Sequence, residues 1–291
     1  MAVNSSNDSI HHPDIPIGTR CFMTRPSSFI FFAYSITNIL LLLPVCILVL
    51  YLGLQRWRRH RSTSATATTS HSDSFTYHMV TMELLGVFGY TLCCCGIYGD
   101  HVNLFFVGFF LWSFNWYGEI FFHILTCVER YLAVVHPVTY LSLRGERGIR
   151  IRNISIGCVW LLSSGATGLS FDTVLLVMDF SLLIVSLFII SFCSLSVLCV
   201  LIRPGPGEQG GDRERVDQSK QRAFYTIMAI LVVLLLTCSG NLVELYLCVL
   251  SEDIECVLAM SLFWFNLPSS LVLPLLFLHR AGILACRKNN T

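Results

Sequence analysis

The sequence predicts an all-α membrane protein, a bundle of seven transmembrane helices with the N-terminus outside and the C-terminus inside. Three observations carry that expectation. The first is composition: of 291 residues, 54% are hydrophobic and 13% charged, whereas soluble domains carry about a quarter of their residues as Asp, Glu, Lys or Arg. The others are a succession of apolar runs long enough to cross lipid and the placement of positive charge between them. A formal net charge of +1 argues against bulk attraction to nucleic acid, so no such partner is expected.

A spanning helix needs roughly 20 mostly apolar residues. Segments at 29–54, 75–98, 103–134, 154–170, 173–202, 223–250 and 256–278 meet that requirement. Only Ser170, Phe171, Asp172 and Thr173 separate the fourth and fifth runs, so six spans with one long hairpin is the competing count; Asp172 and Asp179 mark the break that favours seven. Residues 1–28 then form a polar N-terminal tail, 29–278 the membrane domain and 279–291 a short C-terminal tail. The first run exceeds a signal-peptide core in length and is expected to act as a signal anchor.

Topology follows from the charges. Arg56 to Arg61, Arg144 to Arg152, Arg203 to Arg222, and the tail with Arg280, Arg287 and Lys288 all fall on one side when seven helices are counted, as does Arg130. Of the 19 Lys and Arg, only Arg20 and Arg25 remain opposite. By the positive-inside rule the basic side is cytoplasmic. Asn4-Ser5-Ser6 and Asn7-Asp8-Ser9 are glycosylation sequons on the other side, making Asn4 and Asn7 the expected sugar acceptors of a multi-pass plasma-membrane protein. Asn153 and Asn289 match the same pattern but fall inside. The Ser/Thr-rich stretch 62–74 and the Pro/Gly-rich start of the loop at 204–211 are too polar to order themselves. The 13 Cys are scattered through apolar runs without paired short spacings, which reads as small buried side chains and no metal site.

At the inner end of the third run stands Cys127-Val128-Glu129-Arg130-Tyr131-Leu132-Ala133-Val134-Val135-His136-Pro137. An intramembrane Arg is costly unless paired or near water, which marks Arg130 as functional or as an interface residue. The stretch resembles the Asp/Glu-Arg-Tyr motif of rhodopsin-like G-protein-coupled receptors. Further positions agree across almost the whole membrane region. Glu83-Leu84-Leu85 resembles the family's Ala-Asp-Leu-Leu, Trp160 its fourth-helix Trp, and Leu273-Pro274-Leu275-Leu276-Phe277 its Asn-Pro-x-x-Tyr. The resemblance implies that Glu129 restrains Arg130 at rest and that Glu129, Arg130 and Tyr131 meet a heterotrimeric G protein in the active state. It points to a divergent member and supplies no ligand.

The sequence also departs from the family. Cys238-Ser239-Gly240-Asn241 stands where the sixth helix of relatives has Cys-Trp-x-Pro, so the toggle Trp and the kinking Pro are missing. Leu273 and Phe277 replace the Asn and Tyr of the seventh-helix motif. The usual outer disulfide has no partners, since Phe105 occupies the third-helix position. Fold is therefore more strongly implied than ordinary activation.

Glu119 precedes Arg130 by eleven residues, which at 100° per residue puts both on one face with about 16 Å of rise between them. Asn115 lies one turn above, and the family comparison brings Glu83, Ser269 and Ser270 to the same level, where many relatives hold sodium. Two carboxylates in one pocket suggest one shared proton or one hard cation such as Na+, with neutral packing residues as the plain alternative. Trp112 and Trp116 lie at the depth of the family's ligand pocket, though aromatics there also serve as simple core. Trp112 takes the place of the Asp found in amine receptors, which disfavours a monoamine. Asp179 and Glu244 are the remaining acids able to meet a charged ligand or to reach water.

No nucleotide loop, His-Glu-x-x-His pair or nucleophile elbow is present, which reads as a non-enzyme. The function expected is transduction of an extracellular ligand to a heterotrimeric G protein. The rivals are a non-signalling membrane scaffold or decoy, and a transporter or channel, which would call for internal repeats that the sequence lacks. Cys286, close after the seventh run and beside Arg287 and Lys288, is the palmitoylation candidate. In the implied architecture helices one and seven are neighbours, so Cys21 and Cys256 are the expected outer disulfide, with Cys248 and Cys93 to Cys95 as competing partners.

Overall fold

A computed structural model describes residues 21–62, 71–143, 145–169, 174–202, 211–250 and 256–281. Among them the chain is helical without a strand. Its elements are α1 (Ser27–Ser62), α2 (His71–Tyr98), α3 (Val102–Val135), the short α4 (Pro137–Ser142), α5 (Glu146–Leu169), α6 (Val174–Ile202), α7 (Gly211–Leu250), α8 (Cys256–Leu262), a 3-10 turn (Phe263–Phe265) and α9 (Leu267–Arg280). Five stretches are long and apolar enough to cross a membrane: Ser27–Arg58, Asp73–Tyr98, Met178–Val200, Phe224–Val243 and Cys256–Arg280. This is an all-α membrane protein. The third and fourth expected spans fall on α3 and α5, which are not among these five.

Each boundary has a local cause. Gly99 and Asp100 turn the chain between α2 and α3, with Asp100 at a φ of 56°, a left-handed conformation that Asp tolerates better than most side chains. His136 ends α3 because Pro137 disfavours helical geometry in the residue before it, and Pro137 then opens α4 at its first turn. The seventh expected run, 256–278, is not one continuous helix. It breaks at the 3-10 turn and restarts with Pro268 in the first turn of α9, a position where a missing N–H costs nothing. Thr237 of α7 donates to the Phe265 carbonyl across the break, at 3.5 Å. Gly240 leaves room for the turn, since a Cβ there would stand 3.0 Å from the Phe265 Cβ.

α3 is the axis of the bundle, packing on α2, α5, α6, α7 and α9, while α1 packs on α2 and on the α8–α9 pair. α2 and α3 approach most closely. A Cβ on Gly108 would lie 2.5 Å from the Cys93 nitrogen and 2.7 Å from the Gly89 carbonyl, and one on Gly96 would lie 2.5 Å from the Phe105 nitrogen. Glycine at these positions lets two backbones touch, as small residues do in membrane helix pairs generally.

Three apolar clusters fill the interior. The largest lies between α2, α3, α5, α6 and α7 around Met82, Phe122, Leu183, Ile190 and Ile230. A second, aromatic one gathers Phe22, Phe31, Tyr34, Tyr90, Phe105 and Phe263 at the end of the bundle that carries Cys21 and Cys256. The third joins α1 to α2 and α9 through Leu42, Val80 and Phe277. Exposed side chains such as Leu40, Leu161, Phe188 and Leu235 point outward from the helices, as a lipid-facing surface requires.

Candidate functional site

Two sites emerge, a buried polar nest midway along α3 and an ionic cluster at its C-terminal end. In the nest, Glu83 of α2, Asn115, Glu119 and His123 of α3, and Ser269 and Ser270 of α9 are all buried. The Asn115 amide donates to Glu83 Oε2 at 3.1 Å. The Ser270 hydroxyl donates to Glu119 Oε2 at 3.0 Å. His123 Nε2 lies 3.5 Å from Glu119 Oε1 and 3.0 Å from Ser269 Oγ. The helix period explains the arrangement: 115, 119 and 123 are successive i, i+4 positions on one face.

His123 is the member that sequence reasoning missed. Its signal was present, an imidazole four residues after a buried Glu. Four polar atoms in the nest, Glu83 Oε1, Asn115 Oδ1, Glu119 Oε1 and His123 Nδ1, have no hydrogen-bond partner among the described residues. No group of three or more His, Cys, Asp or Glu side chains there is arranged to hold a metal ion.

At the other site, Arg130 Nε lies 3.6 Å from Glu129 Oε2, and Glu129 Oε1 accepts from the Tyr140 hydroxyl of α4 at 2.9 Å. Tyr131 pairs with His136 at 3.2 Å. Tyr140 was also missed, because its partner lies across the Pro137 turn, a relation that no helical periodicity reports. Nearby, Arg56 bridges to Asp73 at 3.5 Å and lies over the Phe277 ring at 5.1 Å. Arg280 donates to Thr226 of α7 at 3.4 Å.

Three of the four expected ligand-pocket side chains, Trp112, Trp116 and Asp179, are among the described residues. Trp112 packs on Phe263 at 5.1 Å and Phe109 at 5.2 Å, within the aromatic cluster, while Trp116 lies beside Tyr117 at 5.0 Å and borders the large apolar core. Asp179 accepts from the Tyr117 hydroxyl at 2.5 Å, joining α6 to α3. The Glu244 and Cys248 side chains, and Asn4, Asn7 and Cys286, lie outside the described residues.

Cys21 and Cys256 are joined in a disulfide with Cα atoms 5.0 Å apart. It ties the segment before α1 to the start of α8. The competing thiol of Cys93 is instead buried in the α2–α3 seam, 3.7 Å from the Phe105 carbonyl.

No known protein family matches the chain, and no curated protein matches it. Functional assignment therefore rests on the residues and their geometry.

Proposed function

We propose that the chain is a seven-helix receptor of the rhodopsin-like type, which transmits an extracellular signal to a heterotrimeric G protein at the plasma membrane. In this reading the Cys21–Cys256 end is outside, and the Arg130 end is inside. The ligand is extracellular and of unknown class, with a monoamine disfavoured by Trp112. The single observation that supports the reading is the Glu129–Arg130 pair at the end of the central helix, with Glu129 held from a second side by Tyr140. An arginine retained there beside a carboxylate makes a latch: opening it frees a cation for a partner on the cytoplasmic side.

The test is G-protein recruitment in cells expressing the chain or its Arg130→Ala variant. Recruitment falls to background in the variant while surface expression stays near that of the parent. Undiminished recruitment in a well-expressed variant refutes the role given to Arg130.

One observation favours a second reading, a non-signalling scaffold. α7 runs as a single helix from Gly211 to Leu250 and contains no proline, so it lacks the kinking proline of the family's sixth helix. Ligand-independent recruitment equal to that of mock-transfected cells, with no response across a broad ligand screen, selects the scaffold.

A further inference from the structure

The nest contains two carboxylates and an imidazole on interior faces of helices, where no water-level dielectric reduces the cost of charge. Glu83 and His123 are both 0% exposed and Glu119 is 5% exposed. A pair of ionised acids with no cation between them is strongly disfavoured in such a place. The geometry offers two ways of removing that charge from within the chain. His123 Nε2 lies 3.5 Å from Glu119 Oε1, one helical turn away, and 3.0 Å from Ser269 Oγ, while Glu119 accepts from Ser270 through its other oxygen. An acceptor carboxylate facing an imidazole nitrogen is the arrangement of an ion pair. Glu83 differs, since its Oε2 accepts from Asn115 Nδ2 while its Oε1 and the Asn115 Oδ1 are both left over. Both are acceptors, and a proton on the Glu83 carboxyl turns one of them into a donor.

We infer that the nest is a proton-binding site, in which an imidazolium at His123 is the counterion of Glu119 and a proton on Glu83 completes its pairing with Asn115. The site is thereby neutral without a bound metal cation. Other titratable side chains on the surrounding elements include Tyr90 of α2, Tyr34 and Cys46 of α1, Cys127 and Tyr117 of α3, Asp179 and Cys193 of α6 and Cys238 of α7. Asp179 is engaged by Tyr117, and Tyr34 and Tyr90 pair with each other at 3.2 Å. α9 contributes hydroxyls, and these matter for what the proton does. Ser269 and Ser270 follow the 3-10 break within one turn, so the charge on His123 and Glu119 sets how firmly α9 is seated against α3. The inference does not depend on G-protein coupling.

Infrared spectroscopy and thermal unfolding of the purified full-length protein in lipid nanodiscs test it together. A protonated-carboxyl absorption is expected in the parent, with a component lost in Glu83→Gln and retained in Glu119→Gln. Absence of that component from the parent, or its loss in Glu119→Gln, overturns the assignment. Unfolding midpoints of the parent are expected to match in sodium chloride and in choline chloride of equal ionic strength. A rise specific to sodium would mean that the nest takes a metal cation, and it overturns the proposal. His123→Asn removes the built-in cation, and its midpoint is expected to rise with sodium in a saturable way; a folded variant that gains nothing from sodium refutes the counterion role. Should His123→Asn fail to fold, the infrared arm and the parent's sodium response still decide the matter.

Discussion

The two ends of the bundle are held together by different physics. At the Cys256 end, Phe22 contacts Phe31, Phe105 and Phe263 with ring centroids 4.9, 5.5 and 5.8 Å apart, and the disulfide runs alongside. At the Arg130 end, ring contacts such as Tyr131–Phe192 and Tyr77–Phe277 are joined by polar, partly exposed links between elements: Glu129–Tyr140, Arg56–Asp73 and Arg280–Thr226. Packing contacts are short-ranged and cumulative, so moving one ring disturbs its neighbours. A polar contact near water can be exchanged singly for another, at about 0.5–1.5 kcal/mol. One end is therefore built to stay, and the other can rearrange at small cost.

Four substitutions probe that contrast. Phe105→Ala, at a fully buried position, opens a cavity at the centre of the aromatic cluster and should cost roughly 3–5 kcal/mol, read as a lowered unfolding midpoint of the purified protein. Cys256→Ser releases the bridge, an effect of roughly 2–4 kcal/mol in general. The low end is expected here, because the spans already confine the unfolded chain; unfolding with and without reductant gives the value, and an identical midpoint would show that the aromatic cluster alone holds that end. Gly108→Val forces a Cβ into the Cys93 backbone and should destabilise by about 1–3 kcal/mol, with a matching fall in the yield of folded protein. Tyr140→Phe removes only the hydrogen bond to Glu129 and should cost about 1 kcal/mol or less in unfolding. Its larger expected effect is on function, a rise in ligand-independent G-protein recruitment as the Glu129–Arg130 pair loosens. A stability loss in Tyr140→Phe as large as that of Phe105→Ala would break the distinction between the ends.

Hydropathy shows where lipid begins rather than where a helix stops, and the structure differs from the sequence reading accordingly. α1 continues to Ser62 through Arg56, Trp57, Arg58 and Arg59, residues that form helix readily once outside the apolar layer. α7 likewise begins at Gly211, twelve residues before the apolar run at 223. The break at Phe263–Phe265 is invisible to composition because Phe, Trp and Phe are as apolar as the helices on either side; Pro268 was its only local mark. In the nest, Glu83, Asn115 and Glu119 stood out as polar letters within apolar runs. His123 did so too, and only its i, i+4 relation to Glu119 gives it a role. The α2–α3 seam was unreadable for another reason: Gly89, Gly96 and Gly108 acquire meaning only when the partner backbone is known.

The 3-10 turn has an angular consequence. An α-helix advances about 100° per residue and a 3-10 helix about 120°, so the three residues Phe263–Phe265 add roughly 60° of winding beyond what an unbroken α-helix would provide. That extra rotation acts like a spline between two shafts. α8 is clocked by its disulfide to Cys21, and α9 is clocked by Ser269 and Ser270 meeting His123 and Glu119 of α3. Straightening the turn into regular α-helix would keep both shafts intact and swing the two serines about a sixth of a revolution off the nest, so one local change in backbone winding would release Glu119 and His123 from α9 together.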